Sequence, residues 1–353
     1  MNEKMQFTPE MKTQLQVQKE QCVFCKIVQK EIPAQIVYED AYVMILLDIY
    51  PAVKGHCLVL LKEHYPILPY VPKEEFEWLF GGLPRAVASV KKAMLATGMN
   101  VFLANGAAAG QQSPHFLLHL LPRDGEDKFF NFMFRKKMQA VKDEEKRFLQ
   151  HSVPQLMAQH FQQFPAAWHT GKGNVPGFLT EKYEQDEVLY EDEKLVVFLP
   201  KESIAPGGLE IRSKEEQFLF EKLSTESCIH VIHVASQLAS LLFQGLQAQG
   251  TNIVVLSGKT EEYLSGELVV HILPRKQEDA LQSMHWQSQQ PKYDLAEVAE
   301  KIKDKLSEIT FQKKETKIVQ KPLLEEKKIT VSVSTSDVSR EEIHKAILLA
   351  RGG

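Results

Sequence analysis

The residues of this chain best placed to do chemistry are histidines and cysteines. The segment Gly110 to Arg123, GQQSPHFLLHLLPR, sets His115 and His119 four residues apart with Leu117 midway. Residues two apart on a strand face the same way, so His115, Leu117, His119 and Leu121 are expected on one face. Phe116, Leu118 and Leu120 then take the other. Two imidazoles on one face can hold a metal, pass a proton or meet an anion. The loop before them, Ala104 to Pro114, is rich in small residues. It can bring backbone N–H groups and the side chains of Gln111, Gln112 and Ser113 close to an anionic ligand. Upstream, Cys22-Val-Phe-Cys25 is a C-x-x-C pair. Cys57 and Cys228 stand alone in apolar surroundings and read as small core residues.

The remaining composition narrows the setting. The 353 residues suffice for two domains, and 44% hydrophobic with 25% charged residues is a globular balance. A formal charge of −4 gives no sign of a nucleic-acid or membrane surface. The apolar runs are short, VMILLDI for example, and no membrane association is expected. The stretch MNEKMQFTPEMKTQLQVQKEQ shows no apolar core or cleavage site, so no signal peptide and a cytoplasmic location are expected. There a C-x-x-C pair is more often a metal or redox site than a disulfide.

The chain also repeats itself. Tyr38-Glu39-Asp40 recurs as Tyr190-Glu191-Asp192, and Leu121-Pro122-Arg123 as Leu273-Pro274-Arg275, both at an offset of 152. The register holds without a gap between these anchors, and MNVFLANG aligns with TNIVVLSG. A tandem duplication follows. In each copy, β-rich segments (QIVYED, VMILLDI and CLVLLKE in the first) precede an amphipathic helix and two further strands, NVFLAN and HFLLHLL. The helices are expected over Pro72 to Thr97, where Pro84 should introduce a kink, and Thr225 to Gln247. Charged helices are expected over Val141 to Phe164 and Asp294 to Ile309. This is an α+β plan.

Five segments are expected: an N-terminal helix (1–21), a first domain (22–170), its repeat (174–309), a linker (310–328) and a strand-helix tail (329–353). The tail is too small to build a core and would dock or bind an unknown protein.

The first copy resembles the histidine-triad (HIT) family, in its zinc-containing bacterial and archaeal subgroup. The resemblance rests on CVFCKIVQKEIPAQIVYED, LLDIYPAVKGHCLVLLKEHY and AGQQSPHFLLHLLPR, about 100 residues in all. It implies two tandem HIT-like domains, each a meandering antiparallel sheet with a long crossover helix, joined as an intramolecular pseudo-dimer. It also implies binding of a purine nucleotide or nucleoside phosphate. In the family, the middle histidine of H-x-H-x-H attacks the α-phosphorus. Here that position is Leu117, which has no lone pair, so the family mechanism is unavailable; an enzyme would have to use His119 or a direct attack by water.

By the same resemblance Cys22, Cys25, His64 and His115 form a closed, structural Zn²⁺ site, an S₂N₂ donor set of the kind zinc prefers. The corresponding positions of the second copy are Asn174, Gly177, Glu216 and Glu267, so the metal set is absent there as a unit. Its nucleophile position is Val269, and Asp48 and His56 are matched by Pro200 and Gly208.

For nucleotide binding the resemblance implies Asp48 on the ribose, and Asn105, Gln111, Gln112 and His119 on the phosphate side. Phe24, Ile27, Leu46 and Ile49 would form a base wall. The other histidines, 151, 160, 169, 230, 233, 285 and 344, read as packing or surface residues. Three functions are consistent with this: a nucleotide-binding protein without catalysis, a nucleotide hydrolase or nucleotidyltransferase using a non-standard residue, and a protein-interaction scaffold.

Overall fold

The computed structural model describes residues 9–124, 138–163, 169, 171–215, 219–259, 267–277, 279, 281, 290–309 and 311. The expected linker and tail, except Phe311, lie outside the described residues, as do Glu216, His285 and His344.

Two helices open the chain, α1 (Pro9–Gln21) and the short α2 (Val23–Val28). The strands β1 (Ile36–Glu39), β2 (Val43–Leu47) and β3 (Cys57–Leu61) follow, then α3 (Lys73–Met94), β4 (Gly98–Asn105) and β5 (Leu117–Arg123). The two-residue β6 (Gln139–Ala140) leads into α4 (Asp143–Gln163). Then come α5 (Thr180–Gln185), β7 (Glu187–Glu191), β8 (Leu195–Leu199), β9 (Glu202–Ser203) and β10 (Leu209–Ser213). Finally α6 (Thr225–Gly245), β11 (Gly250–Gly258), β12 (Val269–Arg275) and α7 (Leu295–Leu306) complete the described elements. The helix α3 runs on through Pro84 and ends where Leu95 turns left-handed, at φ 54°.

Ten strands form one antiparallel sheet in the order β1-β2-β3-β5-β4-β11-β12-β10-β8-β7. From its centre outward each half has the same order, and β4 meets β11 from Asn105↔Thr251 to Gly98↔Gly258. Strands β2 and β3 are buried on both faces, which is why they read as continuous apolar runs. One face, with Val43, Ile45, Val59, Val101, Leu118 and Leu120, packs against Phe76, Leu79, Leu83, Val87 and Val90 of α3. On the other, Met44, Leu46, Leu58 and Leu60 meet Ile27 of α2, with Leu117 against them.

The offset of 152 extends to individual hydrogen bonds. Asp40 Oδ1 accepts from the backbone N–H groups of Tyr42 and Val43, and its Oδ2 from Tyr38 Oη and Trp78 Nε1. Asp192 Oδ1 likewise accepts from Lys194 and Leu195, and its Oδ2 from Tyr190 Oη and His230 Nε2. His230 thus occupies the position of Trp78 and supplies the same N–H. It has a structural partner, consistent with a packing role.

The helices that follow each half are exchanged. Helix α4 packs on α6 and β7, whereas α7 packs on α3 and β1. Phe311, just beyond α7, lies fully buried over Gly82 of α3, where a Cβ would collide with its ring. Helix propensity alone favours Gly82→Ala by about 1 kcal/mol. Overpacking against Phe311 should reverse that sign, so a destabilisation of about 1–3 kcal/mol is expected from denaturant melts. Helix α6 is long and apolar enough to cross a membrane by length and composition alone. Its side chains Cys228, Val231, Val234, Ala235, Leu238 and Leu242 belong to the protein core.

Candidate functional site

Cys22 holds the residue position just before α2, and Cys25 lies one turn further on. His64 follows β3. His115 lies in a bend just before β5, which begins at Leu117, so the expected strand alternation does not extend back to His115. All four side chains are buried, and one donor atom from each lies within 4.8 Å of the others.

Cys22 Sγ is 3.5 Å and Cys25 Sγ 3.6 Å from His115 Nδ1, and Cys25 Sγ is 3.3 Å from His64 Nδ1. Tetrahedral zinc with ordinary Zn–S and Zn–N bonds sets sulfur and nitrogen about 3.6 Å apart. His115 Nε2 is 2.9 Å from the carbonyl oxygen of Leu61 and donates its proton there. That assignment leaves Nδ1 with one lone pair facing two sulfurs, as a metal-bound imidazole requires. Cys22 is held far below the usual thiol range by the Cys25 S–H, and Cys25 is pushed up by the same partner. The residues therefore fit zinc in donor type, spacing and tautomer.

A second cluster forms around His119, the third residue of β5. His56 Nε2 is 3.0 Å from His119 Nδ1, and His56 Nδ1 is 3.5 Å from Asp48 Oδ2. The backbone N–H of Ala52 donates to His56 Nδ1 at 3.2 Å, so the His56 proton lies on Nε2 and points to His119. His56 is completely buried, and burial holds its pKa down to about 3. Sequence reasoning did not place His56 in the site. The signal lies in the pairing Leu58↔His119 across β3 and β5, which brings residue 56 beside His119.

The other expected contacts divide. Asp48, whose Oδ1 accepts from Tyr50 N, and His119 come together. Asn105 is buried, accepting from Leu68 N and donating to Thr251 Oγ1. Gln111 spans its own loop, accepting from Gly106 N and donating to the carbonyls of Pro66 and Ser113. Both amides hold the loop in place, and Gln112 is exposed. Of the expected base wall, Phe24, Ile27 and Leu46 cluster with Leu117, whereas Ile49 is 56% exposed.

The HIT domain profile matches residues 29–126. An uncharacterized HIT-like protein of Methanocaldococcus jannaschii is 43% identical over 108 residues, covering 30% of this chain and 83% of that protein. The chain belongs to the HIT domain family. Protein hit of Bacillus subtilis is 31% identical over 139 residues, covering 39% of this chain and 96% of that one. The adenosine 5'-monophosphoramidase of Saccharomyces cerevisiae is 37% identical over 105 residues, covering 30% of this chain and 64% of that one. The α+β architecture with an antiparallel sheet is thus that of a HIT domain, in a family with nucleotide-binding and hydrolase relatives.

Beyond the matched HIT domain, the equivalent sheet face carries charges. Where the first half has Leu58, Leu60 and His119, the second has Glu210, Arg212 and His271. Glu210 pairs with Lys182 at 2.8 Å and Arg212 at 3.3 Å, and lies 3.8 Å from His271. Arg212 also holds Glu267, the residue matching His115, at 3.1 Å. Although burial opposes ionisation of Glu210, its cationic neighbours hold its pKa down to about 2.

Proposed function

We propose that residues 22–170 form a HIT domain that binds a purine nucleotide without the family's nucleotidyl-histidine chemistry. Residues 174–309 are a degenerate tandem copy that serves as its intramolecular partner. The reading is carried by Leu117: at the middle position of His115-x-Leu117-x-His119 it packs into the apolar wall beside Leu58 and Leu60. A side chain without a lone pair cannot attack phosphorus. The pseudo-dimer draws support from the mirrored strand order about β4 and β11 and from the exchange of α4 and α7. The ion-paired face of the second half supports a lost ligand site there, since a bound base would have to displace Lys182, Glu210 and Arg212.

Cys22, Cys25, His64 and His115 would hold a structural Zn²⁺, clamping α2 to the ends of β3 and β5. With four protein donors, zinc in this position would supply cross-linking rather than Lewis-acid chemistry. The chain's own groups then act on the ligand directly. Asp48 accepts ribose hydroxyls, the apolar wall takes the base, and His119 offers its Nε2 proton because its Nδ1 accepts from His56.

The His56–His119 contact favours a second reading, a hydrolase acting at the α-phosphorus with His119 or water as the attacking group. Incubation of the full-length protein with adenosine 5'-monophosphoramidate and dinucleoside polyphosphates separates the two. The expected result is AMP release no faster than in buffer. Turnover that disappears in His119→Ala would instead make the protein an enzyme.

A further inference from the structure

The short helix α2 carries parts of two sites at once. Cys22, just before it, and Cys25 belong to the zinc-type donor set, while Phe24, Ile27 and Val28 belong to the apolar wall. Six residues are too few for a helix to persist unaided, so α2 depends on what holds it from outside. Ile27 is buried among Met44, Leu46, Leu58 and Leu60 of the sheet. The two sulfurs meet His64, beyond the end of β3, and His115, just before β5.

Phe24 stands between the two regions. It is half-buried, packs in the cluster that includes Ile27 and Leu117, and sets its ring centre 6.0 Å from that of His115. His115 in turn ends the loop that leads to β5. Its backbone N–H donates to Ser113 Oγ, and the Ser113 carbonyl accepts from Gln111 Nε2. A metal ion held by the four donors would therefore fix the placement of α2, the ring of His115 and the entry to β5 together. With the donors unlinked, α2 keeps its apolar contacts alone. A purine packing on the wall would then have to order α2 and Phe24 as it binds, and that entropic cost lowers affinity.

We infer that the metal site controls the nucleotide site, on the reading of both given above: zinc occupancy tightens purine nucleotide binding, and Phe24 is the positioning residue that transmits the effect. By linkage, the nucleotide tightens zinc binding by the same factor.

Calorimetric titration of the full-length protein with AMP and GMP, zinc-loaded and after metal removal by a chelator, tests this. Zinc loading is expected to tighten binding of the better ligand by about tenfold or more, reversibly on adding zinc back. Competition with a chromogenic chelator should show zinc held more tightly by a similar factor when that ligand is saturating. If the metal-free protein unfolds, cobalt decides. In the cobalt-loaded protein the nucleotide is expected to shift the visible absorption of the tetrahedral ion. Phe24→Leu keeps the wall apolar but removes the ring beside His115, so it should suppress that shift while retaining one metal equivalent. Equal nucleotide affinity in both metal states, or a cobalt spectrum indifferent to bound nucleotide, overturns the coupling and leaves the nucleotide reading intact. Coupling undiminished in Phe24→Leu removes Phe24 from the role. Absence of binding by the zinc-loaded protein at millimolar AMP and GMP overturns the nucleotide reading itself, and this inference with it.

Discussion

Cys25→Ser is expected to abolish the single zinc equivalent that the full-length protein should retain through dialysis, and to lower its melting temperature by about 10 °C or more. Structural zinc sites contribute apparent binding energies of roughly 10–16 kcal/mol in small domains, part of which is folding energy. Even about 5 kcal/mol shifts a large domain's melting point by about 10 °C. The effect is large here because Cys22 and Cys25 tie α2 to the outer ends of β3 and β5. Removing one sulfur leaves two imidazoles and a thiolate buried together with no shared ion. Elemental analysis and a thermal melt with and without a strong chelator check both parts. A wild-type protein that carries no zinc, or a melt indifferent to chelation and to Cys25→Ser, would remove the metal from the account.

Acid is expected to unfold the protein well above the range where carboxylates titrate. Burial holds the pKa of His56 and His233 down to about 3, and of His160, His169 and His271 to about 4. For His160 and His169 neighbouring histidines lower it further, while Glu210 opposes the shift at His271. Each imidazole is neutral when folded, whereas in the unfolded chain it takes up a proton near pH 6.5. The unfolded state therefore binds more protons, and stability falls as pH drops from about 6.5 toward 4.

At pH 5 a fully buried imidazole costs about 2 kcal/mol. His56, with no exposed surface, carries that cost in full. The partly exposed His169 and His233 carry less because solvent screens them. Together these residues approach the 5–15 kcal/mol typical of a folded protein. Cationic neighbours hold Glu210 near a pKa of 2, and the His230 proton and backbone N–H groups lower Asp192 against the effect of burial, so their loss comes only below the ordinary carboxylate range. Urea midpoints between pH 7.5 and 4.5 should fall steeply below 6.5. His233→Leu should flatten the slope, since it removes an imidazole packed between the rings of Phe76 and His160. A midpoint constant from pH 6.5 to 5 would contradict the prediction.

Much of the molecule was legible before any coordinates. Alternation and apolar runs located the sheet strands of the first half, and helical spacing located α3 and α6 to within three residues at each end. These are local properties, set by which side of each segment must be apolar. The zinc-type donor set was legible too, through its resemblance to a known pattern, and the four residues do converge. Leu117 declared itself by type alone, because no folding can give leucine a lone pair.

What lay beyond reach depends on partners distant in the chain. Asn105 and Gln111 looked like ligand contacts, yet their amides satisfy Leu68 N, Thr251, Gly106 N and the carbonyls of Pro66 and Ser113. His56 was compared with its counterpart Gly208 but had no role in the site until the β3–β5 register set it beside His119. The meeting of β4 with β11 and the exchange of α4 and α7 are likewise long-range. Side-chain type says what chemistry a residue can do, and local spacing says which face it takes. Which hydrogen-bonding partner satisfies it is decided when separate segments pack together, because each buried polar group takes the partner that packing supplies.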